Sequence, residues 1–200
     1  MTVTMMPMAA CDGSNADPIL PEQPGQPGNS DGGDEDDSTN PTNPIPGGNG
    51  RYLVLYCSRT GSTERMAQQI QQTLDCDILE VEPQTPYESD YNGMLNRAQE
   101  ELAAIRQGNY PAIKTSVEDF GNYDIVFVGY PIWYGSMATP MQTFLHNHAS
   151  KLAGKRIALF ASSGSSGISA SVDEARTLCS GATFTETLLL TSSTLSQMGN

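Results

Sequence analysis

The chain has 200 residues and a formal net charge of −13, from 23 Asp and Glu against 10 Lys and Arg. That balance argues against nucleic acid and anionic membrane surfaces as partners, since both demand a basic face. Four cysteines, Cys11, Cys57, Cys76 and Cys179, include no CxxC pair, which argues against a zinc site or a disulfide framework.

Residues 1–50 contain eight acidic side chains and no Lys or Arg, and they are dense in Pro, Gly and Asn. They offer too little apolar surface to offset chain entropy, so 1–50 reads as a disordered acidic tail and 51–200 as one globular domain. Within the tail, Met8-Ala9-Ala10-Cys11 resembles the small-residue box ahead of the lipidated cysteine of bacterial lipoproteins. The resemblance implies a lipid on Cys11, a spacer behind it, and a membrane-anchored protein outside the cytoplasm. The competing reading is a Met-rich disordered N-terminus on a cytoplasmic protein. No stretch is apolar enough to span a bilayer, so lipid is the expected route to a membrane. The acidic run DGGDEDD at 31–37 lacks the ligand spacing of a calcium loop and reads as solvated spacer.

From Arg51 onward, apolar runs alternate with amphipathic stretches. Strands are expected at 51–57, 77–82, 123–130, 155–162 and 183–190, the first, third and fourth built on nearly continuous apolar runs of the kind buried on both faces of a sheet. Met66, Ile70 and Leu74 recur every four residues and predict a helix after the first strand. Further helices are expected near 93–107, 137–147 and 168–180. This alternation predicts an α/β fold with a doubly wound parallel five-stranded sheet. After the fifth strand, 194–200 leaves room for about two helical turns at most, so a closing helix is expected to be lacking.

In such sheets ligands bind outside the carboxyl ends of the strands. Three loops lie there: SRTGST (58–63), PIWYGS (131–136) and SSGSSG (162–167). The first supplies hydroxyls from Ser58, Thr60, Ser62 and Thr63, a turn at Gly61, and the positive end of a helix dipole. Together these make a phosphate cradle without a lysine. The plainer alternative is a capped turn with Ser62 as N-cap. A Walker loop is excluded by the absence of a nearby Lys. A phosphatase loop starting at Cys57 would need Arg where Thr63 stands, so Cys57 reads as a small buried residue ending the strand. The second loop carries the only tryptophan, Trp133, as a lid for a planar ligand. The third offers backbone N–H groups without bulky side chains.

SRTGST, GYPIWYG and FASSGSSG, in this order, are similar to the flavodoxin-like family, whose members bind flavin mononucleotide (FMN). PYESDY (86–91), followed by a helix with Glu100 and Glu101, resembles a variant subgroup with an insertion after strand two. The resemblance implies that Ser58, Arg59, Thr60, Gly61, Ser62 and Thr63 surround the FMN phosphate. Trp133 or Tyr134 would stack on the isoalloxazine, Pro131, Ile132 and Gly135 would line its edge, and Ser163, Gly164 and Gly167 would close the other side. It also implies electron transfer with a redox partner protein or a small-molecule acceptor. Three alternatives remain: an FMN-dependent NAD(P)H:quinone-type reductase, a surface-anchored module that keeps the fold without catalysis, and a hydrolase using Cys57. There is no GxGxxG for a dedicated nicotinamide domain. His146 and His148, two residues apart, do not share a helical face and are expected at helix-end carbonyls or solvent, not on a metal.

Overall fold

The computed structural model describes residues 48–195. The readings of the tail, including Cys11 and the acidic run at 31–37, fall outside the described residues, as do residues 196–200. Gly48 and Asn49 already belong to the folded unit. The Gly48 N–H donates to Asp77 Oδ1 at 3.2 Å, and Asn49 Nδ2 to the Leu74 carbonyl at 2.7 Å.

Five parallel strands form the sheet in the order β2-β1-β3-β5-β6, with a sixth short strand, β4, antiparallel on the end of β3. They span Tyr52–Tyr56 (β1), Asp77–Glu80 (β2), Ile125–Trp133 (β3), Ser136–Met137 (β4), Arg156–Ser163 (β5) and Thr183–Thr191 (β6). The helices are Ser62–Leu74 (α1), Tyr91–Ile105 (α2), Thr139–His148 (α3), Ser169–Leu178 (α4) and Ser192–Leu195 (α5). No helix among the described residues is long and apolar enough to cross a membrane.

The two-residue period of the strands sorts their side chains onto two cores. Leu53, Leu55, Val126, Val128, Tyr130, Ile157, Leu159 and Ala161 pack with Met141 and Phe144 of α3 and Val172 and Ala175 of α4. Val54, Tyr56 and Phe160 point the other way, onto Met66 and Ala67 of α1. Burial on both faces is why these strands read as unbroken apolar runs. Each fully buried Leu or Val contributes about 1.5–3 kcal/mol. Register is tight at the centre, where Leu55 pairs with Leu79 on one side and Val128 on the other.

Two helix boundaries differ from expectation, each for a local reason. α2 starts at Tyr91, not near residue 93, because Asp90 caps it. The Asp90 carboxylate accepts from the Gly93 N–H at 2.7 Å. α3 starts at Thr139, not near residue 137, because Ser136 and Met137 first turn back to pair with Trp133 and Ile132. The His148 side chain, at the end of α3, is buried. Its Nδ1 lies 2.8 Å from the Phe144 carbonyl, and its Nε2 accepts from the Val117 N–H at 3.2 Å. His146 instead stacks on Tyr110, with centroids 3.7 Å apart.

Gly129 of β3 lies under the ring of Phe160 from β5; a Cβ there would sit 2.1 Å from the ring. Gly129→Ala is therefore expected to lower stability by about 1–3 kcal/mol through overpacking, read as a shifted denaturant midpoint at unchanged slope. Burial, together with the charge of Lys151, lowers the His148 pKa against the upward pull of its bond to Phe144. The unfolded chain then takes up this proton first. The contribution of His148 is fully present above about pH 6.5 and is lost as pH falls below it. Denaturant midpoints measured over that range should fall more steeply in the native protein than in His148→Gln; equal slopes would disprove the assignment.

Candidate functional site

The chain leaves β1 through Cys57 and enters α1 at Ser62. Gly61 occupies the N-cap position with a left-handed backbone, φ +77°, a conformation glycine adopts at no steric cost. Ser62 is thus the first helical residue and not the cap. No side chain caps α1, so its positive end and first N–H groups remain available to an anion. Thr63 is buried, and its Oγ1 lies 2.8 Å from Ser162 Oγ at the end of β5. This bond ties the first loop to the third.

β3 runs on through Trp133 and reverses over two residues, Tyr134 (φ +52°) and Gly135 (φ +80°), before β4. Positive φ at both positions is the geometry of a type I′ hairpin turn. For a tyrosine that backbone costs on the order of 1–2 kcal/mol. Tyr134 nevertheless stays 51% exposed, its hydroxyl donating to the Leu95 carbonyl of α2 at 3.4 Å. Trp133 is half-buried and held edge-on by Tyr87, centroids 5.1 Å apart. Tyr87 is itself fixed from behind. Its hydroxyl donates to Glu101 and lies 2.7 Å from Thr139 Oγ1, and Arg97 stacks 4.2 Å over its ring. Arg97 Nε closes the group by donating to Glu101 at 2.8 Å.

These loops enclose a cleft of about 390 Å³. It gathers Ser58, Arg59, Thr60, Ser62 and Thr63 from the first loop, Pro131, Ile132, Trp133 and Tyr134 from the second, and Ser163 and Gly164 from the third. Gly61, Gly135 and Gly167 do not line it; the first two shape the turns that do. Among the described residues no group of three His, Cys, Asp or Glu is placed to hold a metal ion.

Residues 51–199 match the family model for Flavodoxin. The chain belongs to the flavodoxin family. A solved structure described as a flavoprotein from Bacteroides eggerthii shares 32% identity and a TM-score of 0.62, covering 74% of this chain and 94% of that one. A similar flavoprotein from Bacteroides uniformis shares 29% identity at TM-score 0.62, covering 76% and 97%. The flavoprotein from Lactobacillus acidophilus, solved in complex with FMN, shares 25% identity at TM-score 0.61, covering 75% and 99%. No curated protein matches the chain.

The cleft also has walls that the sequence did not reveal. Tyr91, Met94 and Leu95 come from the first turns of α2, Ser162 from β5 and Ser192 from α5. The signal for α2 was an exposed aromatic, Tyr91, directly after the capping Asp90. Ser192 gave no signal. A second cavity, of about 510 Å³, adjoins the first and shares Ser58, Arg59, Thr60, Pro131 and Trp133 with it. Its far wall carries Glu80, Glu82, Glu88 and Lys114. Burial, and then the charges of Glu82 and Glu64, raise the pKa of Glu80. Cys57 is buried in the core, and burial pushes its thiol far above the ordinary range.

Proposed function

We propose that the cleft binds FMN and that the protein works in electron transfer. One observation carries this reading. An uncapped helix N-terminus with clustered hydroxyls shares a single cleft with Trp133 and a strained, half-exposed Tyr134. The residues present fit the cofactor. The N–H groups at the start of α1 and the hydroxyls of Ser58, Thr60 and Ser62 suit a phosphate. Trp133, Tyr134 and Met94 suit a flat ring system, and the cleft volume falls within the range of roughly 300–1,000 Å³ usual for such sites. When bound, FMN supplies the redox chemistry. The chain's own residues orient it: the cradle fixes the phosphate end, and the 131–135 loop covers the ring and excludes water from its face.

A hydrolase mechanism through Cys57 has little support. Its thiol is buried and held protonated, and a buried Thr63 occupies the place of the arginine such a loop needs. The second cavity favours one other reading, an FMN-dependent NAD(P)H:quinone-type reductase, because it offers a small molecule room beside Trp133.

Titration with FMN and riboflavin tests the first reading. FMN should bind at least about tenfold more tightly, since hydrogen bonds to a charged group contribute about 1.5–3 kcal/mol. Trp133→Ala should weaken both flavins by about 1–3 kcal/mol, the scale of aromatic stacking. Equal affinity for riboflavin would dismiss the cradle, and no binding by the folded protein would reject the proposal. The reductase reading is checked separately. Oxidation of NAD(P)H with an added quinone should then run well above the rate with free FMN; no acceleration would leave a carrier.

A further inference from the structure

Residues 81–90 join β2 to α2, and the first turns of α2 form one wall of the cleft. Two guanidinium groups grip the backbone of this connection. Arg97 Nη1 donates to the Pro86 carbonyl at 2.8 Å, and its Nη2 to the Thr85 carbonyl at 2.9 Å. Arg59 reaches across from the cradle loop. Its Nη2 lies 3.2, 2.9 and 3.2 Å from the carbonyl oxygens of Glu88, Ser89 and Asp90. Asp90 is the N-cap of α2, so Arg59 holds the turn that sets where this helix begins.

A cation at a helix N-terminus works against the helix dipole. What offsets that cost is the convergence of three carbonyls on one charged donor, since charge-assisted hydrogen bonds are the strong ones. Arg59 forms no ion pair among the described residues that would hold it there instead. Its neighbours Ser58 and Thr60 face the cleft, and its carbonyl partners lead straight into Tyr91, Met94 and Leu95.

We infer that Arg59 is a positioning residue: its guanidinium fixes the 88–90 turn and thereby the α2 wall of the cleft, and it is not a ligand of the phosphate. The cradle and the ring-facing wall are then one mechanical unit. The flavin arm of the test rests on the FMN reading; the exchange arm does not.

The experiment is amide hydrogen exchange on the full chain without flavin, comparing the native protein with Arg59→Met, followed by FMN and riboflavin titrations of both. Peptides covering residues 86–98 should exchange at least about tenfold faster in the variant, as expected for losing a charged donor to several acceptors. Peptides from β1, β3 and β5 should be unchanged, showing an intact fold. FMN and riboflavin should lose affinity by the same factor, because the wall touches the part the two ligands share. Unchanged exchange at 86–98 overturns the inference, and so does a loss confined to FMN, which would mark Arg59 as a phosphate ligand. If the native protein binds neither flavin, the FMN proposal fails, while the exchange result still decides whether Arg59 holds the turn.

Discussion

The winding of the chain reverses at β1. α1 carries it outward to β2, and the connection through α2 brings it back past β1 to β3. From there α3 and α4 lead on to β5 and β6. Parallel crossovers are right-handed, so a change in winding direction forces the helices onto opposite faces. α1 packs on the face of Val54, Tyr56 and Phe160, and α3 and α4 on the face of Leu53, Leu55 and Val128. Loops leaving the carboxyl ends of β1 and β3 therefore diverge, and the gap between them is the cleft. The Thr63–Ser162 bond is possible only because β5 lies directly beside β3.

Several local costs meet at this gap. α1 begins without a side-chain cap, Tyr134 holds a left-handed backbone with its ring half in solvent, and Gly61 and Gly135 turn through positive φ. The α2 wall of the cleft is, by contrast, capped by Asp90, and the central strands behind it are buried on both faces. Strain of about 1–3 kcal/mol per site persists only where surrounding structure over-determines it. Here the β3 ladder and the Tyr87–Glu101–Thr139–Arg97 group supply that rigidity behind Trp133. A ligand that used the N–H groups of α1 and covered the Tyr134 ring would offset part of these costs.

Much of the fold was legible because double burial writes itself into composition. YLVLY and IVFVGY admit few readings other than central strands, and Met66, Ile70 and Leu74 mark the face of α1. The three loops were legible because strand ends locate them. What escaped notice depended on geometry without a local signature. Tyr134-Gly135 is not a usual hairpin pair, so β4 was hidden inside what read as a loop. The α2 wall is set by tertiary packing, which a helix pattern cannot orient. Arg59 was counted with the cofactor-binding residues because it sits in the cradle sequence; its long side chain carries the charge to a turn some thirty residues on.

That displacement of charge bears on the chemistry of the site. The cradle offers hydroxyls, N–H groups and a helix end, none carrying a full positive charge, and its one guanidinium is turned toward backbone carbonyls. Near it stand Glu64, Glu80 and Glu82, and burial, followed by the charges of Glu82 and Glu64, raises the pKa of Glu80. A phosphate bound by such a cradle would keep much of its own negative charge. Such a site holds an anion through dipoles and hydroxyls alone and leaves the nearby carboxylates uncompensated by any guanidinium in the cradle.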